Sequence, residues 1–299
     1  MNPLLILLIG TNGQVGWELR RTLAPLGRVV AIDFPEIDLS DAASLRRWMR
    51  DARPQLVVNA AAYTAVDQAE TEPDKAMQIN GLAPGVLAEE AARLGALLVH
   101  YSTDYVFDGA SHQPYVETDT PNPLSVYGRS KLTGDQAVQA AGGAWLIFRL
   151  CWVYGARGNN FLLTFRRLAR ERELLRVVSD QLGAPTWSRM IAETTALALR
   201  QTLAAPDPAA FSGLYHLAAA GITSWHGFAE KILQFLPPET GKCPRLQPIS
   251  TAEYPTPARR PAYSGMSCAK LERTFGLSLP PWDESLQLVL EGGLDAAAG

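Results

Sequence analysis

The chain contains 299 residues, of which 47% are hydrophobic and 19% charged, and its formal net charge is -3. This length and composition predict a globular protein with one large domain or two closely packed ones. A broad nucleic-acid interface is disfavoured, because it needs a basic surface that this slightly acidic chain lacks. A local cluster of arginines for a small phosphorylated ligand stays compatible with the charge.

Export, membrane insertion and metal binding are disfavoured by equally simple features. The apolar run at residues 4–9 follows no basic segment and is too short for a signal peptide or a membrane span. The three cysteines are odd in number and widely spaced, and the four histidines form no pair at helical spacing. We therefore expect a cytoplasmic protein without a disulfide framework, a dedicated metal site, or a membrane or nucleic-acid partner.

The first half of the chain alternates between short apolar runs and helical patterns. The predicted strands lie at residues 4–9, 28–33, 56–60, 96–102 and 144–150. The predicted helices lie at residues 14–26, 44–52, 74–94 and 127–141. Strands that are apolar on both faces and separated by helices predict a parallel sheet covered on both sides.

After about Tyr154 the pattern changes. Helices are predicted at residues 160–172, 189–203 and 286–290, and a short strand at residues 214–217 is expected to return to the main sheet. The proline-rich segment 237–261 predicts loops, and the alanine-rich residues 294–299 predict a frayed tail. The fold class is therefore α/β, with a doubly wound parallel sheet and a smaller C-terminal α/β unit.

Three glycines stand in the turn between the first predicted strand and the first predicted helix. Gly10 permits a tight turn, Gly13 lets backbone N–H groups approach a pyrophosphate, and Gly16 allows close packing of helix on strand. A glycine-rich turn without a ligand is the alternative. The position after a buried strand, with Asp33 ending the next strand, favours a dinucleotide, and the GxxGxxG spacing points to the short-chain dehydrogenase branch.

Asp33 bears on the choice of cofactor. Its carboxylate can accept hydrogen bonds from ribose hydroxyls, and it disfavours the extra phosphate of NADPH because no arginine follows it closely. This favours NADH or the use of both cofactors. The alternative is a loop carboxylate in water.

These features predict a Rossmann-type NAD(P)-binding domain. We assign to it residues 1–156, with a returning segment around 184–222. Residues 157–183 and 223–299 are assigned to a substrate-binding domain, and the active site is expected in the cleft between the two.

Tyr127 and Lys131 are spaced by four residues, which places both side chains on one face of a helix. A phenol is a weak acid, and a neighbouring ammonium is expected to lower its pKa. Such a pair can protonate the oxyanion left by hydride addition. The alternative is a surface helix that contains both residues by chance.

Ser102 and Thr103 end the fourth predicted strand, where a carbonyl substrate would lie. A hydroxyl at this place can hydrogen-bond the reacting oxygen. Polar strand-end residues that only cap backbone groups are the alternative. With the glycine turn and the tyrosine–lysine pair present, the catalytic interpretation is favoured for Thr103.

Together these residues resemble the extended short-chain dehydrogenase/reductase superfamily, and more narrowly the family of dTDP-4-dehydrorhamnose reductases. The resemblance covers almost the whole chain. It is carried by the segments GQVGWEL at 13–19, VNAAAYTAVD at 58–67, YSTDYVFD at 101–108, PLSVYG at 123–128, RLCWVY at 149–154 and SDQLGAPT at 179–186.

The resemblance implies hydride delivery from NADPH or NADH to the C4 keto carbon of dTDP-4-dehydro-β-L-rhamnose. Tyr127 would supply the proton, Lys131 would hold the nicotinamide ribose, and Thr103 would orient the keto oxygen. The positions that match the family's cofactor contacts are Gly13, Gln14, Val15, Asp33, Asp38, Leu39, Ala62, Tyr63, Thr64, Tyr127 and Lys131. Those that match its nucleotide-sugar contacts are Thr103, Asp104 and Trp152.

Two of the proposed substrate contacts have a simpler alternative. A tryptophan just past a strand, such as Trp152, is more often a core residue than a ligand contact. Arg260 lies in a proline-rich loop, where arginines are usually only solvated, but its fork suits a diphosphate.

Some relatives join their subunits through a divalent metal held by glutamates. Glu18 and Glu291 match two of those places, whereas the third is Arg189, a poor neighbour for Mg²⁺. A metal-bridged dimer is therefore not expected, and an Arg189–glutamate ion pair could replace the bridge in a homodimer.

Three other functions remain open. A nucleotide-sugar 4,6-dehydratase would have an acidic pair beside the catalytic threonine, but Tyr105 follows Asp104. A 4-epimerase would retain a tightly held NAD, whereas a reductase consumes NAD(P)H. A non-catalytic NAD(P)-binding regulatory subunit is disfavoured by the intact Thr103, Tyr127 and Lys131.

Overall fold

The computed structural model describes residues 3–235 and 243–292. Its main sheet contains six parallel strands in the order β10-β5-β4-β3-β1-β2. The strands of this sheet are β1 Leu5–Ile9, β2 Arg28–Ile32, β3 Leu56–Asn59, β4 Leu97–Thr103, β5 Ala144–Leu150 and β10 Gly213–Leu217. The confirmed α/β, Rossmann-like architecture places the carboxyl ends of all six strands at one edge.

Helices cover both faces of this sheet. On one face lie α1 Gln14–Leu23, α8 Ser188–Ala204 and α10 Ala269–Phe275. On the other lie α2 Ala42–Ala52, α5 Ala83–Leu94 and α6 Val126–Ala141. The short helices α3 Val66–Ala69 and α4 Pro73–Met77 follow β3.

The alternation of apolar side chains within β1 explains the two covered faces. Ile6 and Leu8 pack in the core with α1 and α8, whereas Leu7 and Ile9 pack in the core with α2 and α5. All four side chains are fully buried. A strand buried on both sides reads as a continuous apolar run, which is why the sequence pattern predicts it.

A second core lies beyond β5. Its elements are β6 Val153–Tyr154, α7 Phe161–Glu171, β7 Leu174–Val178, β8 Leu182–Gly183, β9 Thr186–Trp187, β11 Thr223–Ser224, α9 Trp225–Phe235, β12 Arg245–Ile249 and α11 Trp282–Glu291. The strands form three small two-stranded sheets, β11-β8, β12-β7 and β6-β9. Aromatic and aliphatic side chains of α7, α9 and α11 pack together in this second core.

The strand returning to the main sheet is present as predicted, since β10 pairs with β5 in parallel register. The predicted helix at residues 74–94 is interrupted, because residues 78–82 form a π-helical turn between α4 and α5. The loop prediction for residues 237–261 is wrong at β12, which pairs with β7. Pro248 and the mostly exposed side chains of this edge strand hide the usual apolar alternation.

Parts of the predictions fall outside the described residues: positions 237–242 of the proline-rich segment and the tail at 294–299. Within residues 3–235 and 243–292, no helix is both long and apolar enough to cross a membrane.

Candidate functional site

The glycine turn packs tightly between β1, β3 and α1. Gly10 has a φ of +89°, and a Cβ there would overlap the backbone nitrogen of Ala61. A Cβ at Gly16 would overlap the carbonyl oxygen of Gly10. At Gly13 a Cβ would only reach van der Waals contact, 3.4 Å from that same oxygen. Two of the three glycines are therefore required by packing, and Gly13 faces open space.

The start of α1 fits the pyrophosphate of a dinucleotide. Gly13 is the N-cap residue and is exposed, and no side chain caps the helix. Its first N–H groups are therefore left to bind an anion, which the helix dipole also favours. Gln14 and Val15, the next predicted contacts, are partly exposed at the same place.

Asp33 directly follows β2, beside this turn. One carboxylate oxygen accepts the Asn12 N–H at 2.7 Å and the other accepts the Phe34 N–H at 2.8 Å. These bonds fix the orientation of the carboxylate, and its remaining lone pairs can accept ribose hydroxyls. The geometry fits the role predicted for this residue.

The remaining predicted cofactor residues follow β2 and β3 at the same edge of the sheet. Asp38 accepts hydrogen bonds from the side chain and backbone of Ser40, and these lower the pKa of its carboxyl. Leu39 is partly buried against the core under α2. The residues after β3 are Ala62, Tyr63 and Thr64, which are partly or fully exposed.

Tyr127 and Lys131 lie in the first two turns of α6. Ser125 caps this helix by accepting the Gly128 N–H at 3.1 Å. Lys131 is only 2% exposed, and its Nζ donates to the Tyr101 carbonyl oxygen at 2.5 Å. The predicted pair is therefore placed on a capped helix above the carboxyl end of β4.

The ionisation of this pair differs from the prediction. Burial lowers the pKa of Lys131 to about 8, opposed by the carboxylate of Asp135. Burial also raises the pKa of Tyr127 to about 12, opposed by a hydrogen bond to Thr103. The net shift of the phenol pKa is therefore upward rather than downward as expected, because the effect of burial dominates.

Thr103 sits between Tyr127 and a buried carboxylate. Its hydroxyl donates to Asp104 Oδ1 at 2.9 Å and accepts the Tyr105 N–H at 3.2 Å. A hydroxyl has a single proton, so in this state Thr103 meets the Tyr127 phenol as an acceptor. Burial raises the pKa of Asp104 to about 6, opposed by the hydrogen bonds that Thr103 and Cys151 donate to its carboxylate.

Asp104 and Trp152, both predicted substrate contacts, are placed differently. Asp104 is only 3% exposed, behind Thr103. Trp152 is partly exposed, with a φ of +42°, a left-handed conformation that is uncommon for non-glycine residues. Its ring stacks on Trp225 at a centroid distance of 3.6 Å.

A cavity of about 280 Å³ opens in the second unit. Its lining combines aromatic, aliphatic and polar side chains, among them Phe161, Phe165, Gln181, Trp225, Tyr254 and Arg260. An apolar pocket with a few polar groups is typical of a small-molecule site. Arg260 also forms a two-point ion pair with Asp67, at 3.2 and 2.9 Å.

Comparison with known proteins adds an independent line of evidence. A family model described as RmlD substrate binding domain matches residues 4–293. The dTDP-4-dehydrorhamnose reductase of Burkholderia thailandensis is 53% identical over 282 residues, which cover 93% of this chain and 95% of that protein. The chain belongs to the RmlD substrate binding domain family.

Solved structures of RmlD-family reductases agree with this. A dTDP-4-dehydrorhamnose reductase from Clostridium acetobutylicum has a TM-score of 0.89 and 36% identity, covering 96% of this chain and 99% of that one. The reductase from Bacillus anthracis, in complex with NADP, has a TM-score of 0.88 and 33% identity, covering 98% and 100%. The chain is thus an NAD(P)H-dependent oxidoreductase of the dTDP-4-dehydrorhamnose reductase type.

Several residues around the site of this RmlD-family chain were not predicted. Asn80 accepts the Tyr63 N–H at 2.8 Å and donates to the Ser130 hydroxyl at 3.1 Å, so it ties the segment after β3 to α6. His100 lies 3.4 Å from Lys131 Nζ. Burial and the lysine charge hold the pKa of His100 well below its usual value. An apolar strand and an alanine-rich helix carry no sequence signal for such contacts.

The aromatic stack and the link between the two units were also missed. Asn160 caps α7 and donates to Gln14 Oε1 at 2.9 Å, which joins the glycine turn to the second unit. Trp225 lies about seventy residues from Trp152, and nothing in the sequence pairs them. For Asn160, an N-cap before a helical pattern was a usable signal.

Glu18 and Arg189, two of the three positions that match the metal bridge of relatives, form ion pairs within the chain. Arg189 pairs with Glu193 of its own helix at 3.1 Å, and Arg21 contacts both Glu193 and Glu18. Across residues 3–235 and 243–292, no group of three or more His, Cys, Asp or Glu side chains is arranged to hold a metal ion. An Arg189–glutamate pair between subunits therefore stays a prediction, and within one chain Arg189 already has a partner.

Proposed function

We propose that this reductase converts dTDP-4-dehydro-β-L-rhamnose to dTDP-L-rhamnose, with Tyr127 as the proton donor to the C4 oxygen. The observation that carries the proposal is the meeting of Thr103, Tyr127 and Lys131 at the sheet edge that also bears the glycine turn. The names of the relatives support the substrate.

The cofactor is proposed to be NADPH or NADH. When bound, it supplies the hydride that reduces the keto carbon. The N-terminus of α1 would hold its pyrophosphate, and Asp33 would accept ribose hydroxyls. The relative from Bacillus anthracis is in complex with NADP, which supports NADPH despite the carboxylate at position 33.

Tyr127 is suited to protonate the oxyanion. Its pKa of about 12 keeps the phenol protonated at neutral pH until a stronger base forms beside it. The phenol proton moves to the C4 oxygen and leaves a phenolate, which the nearby Lys131 ammonium stabilises. The phenolate then regains a proton from solvent.

Thr103 is proposed to orient the C4 oxygen together with Tyr127. To donate to that oxygen, its hydroxyl must turn away from Asp104. Asp104 is therefore proposed to act on the substrate through Thr103, whereas Trp152 and Arg260 would contact it directly. The cavity that Arg260 lines, which contains both aromatic side chains and polar groups, is proposed to hold the base and diphosphate of the nucleotide.

The proposed biological setting follows the prediction from the sequence: a cytoplasmic enzyme, active as a homodimer, without a metal between its subunits. The charged cluster at Glu18, Arg21, Arg189 and Glu193 is a candidate surface for that dimer. Activity and dimerisation should then both survive chelation of divalent metals.

The proposal is tested by mixing the protein with the keto-sugar nucleotide and either reduced cofactor. We expect stoichiometric oxidation of the cofactor, and a kcat at least about a hundredfold lower in Tyr127→Phe. Tyr115→Phe, which removes a hydroxyl bonded to Asp108, serves as the matched control. No oxidation with either cofactor would exclude the function, and full activity of Tyr127→Phe would exclude this proton donor.

A further inference from the structure

The short helix α3 lies between the two parts of the proposed site. Asp67, on α3, accepts two hydrogen bonds from the Arg260 guanidinium and a third from the Ala258 N–H at 3.2 Å. Glu70, the residue after α3, accepts the N–H of Val126 at 2.8 Å. We call Asp67 and Glu70 the α3 carboxylates.

Asp67 determines where Arg260 points. A guanidinium has five N–H donors; two go to the carboxylate and Tyr105 is a further partner, which leaves donors for the cavity that Arg260 lines. Burial opposes ionisation of Asp67, but Arg260 and the Ala258 N–H together hold the pKa of its carboxyl below the usual value. The Arg260 side chain is thus held by an ionised carboxylate at neutral pH.

Glu70 acts on the other part of the site. Val126 is the first residue of α6 and directly precedes Tyr127, and its N–H has no partner within the helix. Glu70 satisfies that N–H, and a negative charge near a helix N-terminus is favourable. The start of the helix that carries the phenol is therefore fixed by a side chain from α3.

The two carboxylates are three residues apart, which places them on the same side of one helical turn. We propose that they are positioning residues, with Asp67 aiming Arg260 at the diphosphate of the substrate and Glu70 fixing the helix that carries Tyr127. This inference rests on the proposed function.

A purely structural role predicts something different. Asp67 is 40% exposed and Arg260 22% exposed, and ion pairs with such access to solvent contribute little to stability. A structural pair would change the melting temperature slightly and affect kcat and KM together or not at all. If the two carboxylates are positioning residues, substitution of Asp67 should change mainly KM, and substitution of Glu70 should change mainly kcat.

The experiment compares Asp67→Asn and Glu70→Ala in steady-state kinetics, with dTDP binding measured by calorimetry. Asp67→Asn should raise KM and the Kd for dTDP about tenfold, equivalent to about 1.4 kcal/mol, with kcat nearly unchanged. Glu70→Ala should lower kcat about tenfold with dTDP binding unchanged, and Glu70→Gln, which keeps an acceptor, should restore most of it. Asp74→Asn, an exposed carboxylate on α4, is the matched control.

A double variant tests whether Asp67 acts on dTDP binding through Arg260. If Asp67 acts through Arg260, then adding Asp67→Asn to Arg260→Ala should raise the Kd for dTDP no further than Arg260→Ala alone. Arg259→Ala, an exposed neighbour in the same loop, should leave the Kd unchanged.

Additive effects on dTDP binding, or equal effects of Asp67→Asn and Glu70→Ala on kcat and KM, would overturn the inference. If Glu70→Ala does not fold, the role of Glu70 is tested with Glu70→Gln, which keeps the acceptor and should retain most of the wild-type kcat. Calorimetry with dTDP needs no turnover, so the two proposals can fail separately. A wild-type protein that does not oxidise NAD(P)H with the keto-sugar contradicts the function, whereas an active one without the kinetic split contradicts the inference alone.

Discussion

Lys131 is a charged side chain enclosed by protein. Its Nζ bonds to the Tyr101 carbonyl oxygen and lies beside a neutral His100, while Asp135 one turn later partly offsets the cost of burial. With a pKa of about 8, the amine is mostly an ammonium at neutral pH and loses its proton under mildly basic conditions. Activity and stability should therefore change in opposite directions with pH.

We expect kcat to fall as pH rises above about 8, approaching a tenfold loss per pH unit, because the ammonium beside Tyr127 disappears. Stability should behave oppositely. The unfolded chain binds more protons at this lysine between its folded pKa of about 8 and the ordinary value of 10.5, so unfolding becomes less favourable as pH rises through that window.

The measurement is urea unfolding of wild type and Lys131→Met at pH values on both sides of about 8, beside a kcat–pH profile of the wild type. The wild type should gain about 2 kcal/mol relative to Lys131→Met between neutral pH and about two units above the folded pKa. A flat kcat up to the ordinary lysine pKa would show that the charge of Lys131 is not needed.

At this scale the chemistry assigned to the three residues stays a prediction, whereas the pKa expected for the phenol was wrong in direction. Spacing after the fourth strand was sufficient to select Thr103, Tyr127 and Lys131. The burial that shifts the pKa of Lys131 comes from packing against His100 and Tyr101, about thirty residues earlier in the sequence. Long-range packing of this kind leaves no local pattern.

Among the elements, the turn into α1 is the most constrained. The backbone of β1 and the first turn of α1 come so close at Gly16 that a methyl group would overlap the Gly10 carbonyl oxygen. At Gly13 the same methyl group would fit in ordinary contact, but it would occupy the open side of the turn. Gly16 is thus required by packing, whereas Gly13 is proposed to keep the open side of the turn accessible to the pyrophosphate.

The two alanine variants should behave differently. Gly13→Ala should keep the free energy of unfolding within about 0.5 kcal/mol of the wild type and weaken NADPH binding, whereas Gly16→Ala should lose about 1–3 kcal/mol of stability as well. Urea unfolding and a fluorescence titration with NADPH measure both quantities. Equal stability of the two variants would contradict this assignment of roles.

The elements that the sequence predicted are those with strong apolar periodicity, such as β1, β5 and α8. It missed the paired strands β7 and β12, the second of which contains a proline, and also the eleven-residue helix α9. The π-helical turn before α5 was invisible for another reason, since an extra residue in a turn does not disturb an alanine-rich pattern.

For the molecule as a whole, the Asn160 side chain connects three segments through hydrogen bonds. Its side chain accepts the Leu163 N–H as a helix cap and donates to Gln14 Oε1 and to the carbonyl oxygens of Gly155 and Arg157. One amide therefore joins the start of α1, the segment after β6 and helix α7. Both ends of this amide are used.

Asn160→Asp should keep the helix cap but place a carboxylate against three acceptor oxygens. We expect a loss of about 2 kcal/mol in the free energy of unfolding and weaker NADPH binding, because the oxygens of Gln14, Gly155 and Arg157 lose the amide N–H donor. Gln14→Ala, which removes only one of the three acceptors, should cost less stability. Calorimetric melting of the two variants checks this order, and the reverse order would contradict it.

The architecture was predictable because alternating strands and helices allow few topologies. The position of the second unit was not, since its core forms from α7, α9 and α11, which are separated by segments of weak pattern. The division into residues 1–156, with a return around 184–222, and a substrate-binding remainder stays a prediction.

The position of β10 has a consequence for how the protein is made. The outer edge of β5 pairs with residues 213–217, and the apolar face over β1 and β5 is covered by residues 188–204. During synthesis from the amino terminus, that edge and face stay open to water until some sixty further residues have left the ribosome. The nascent chain thus exposes an unpaired strand edge beside a bare apolar surface, which is the period in which a chaperone would have most to protect.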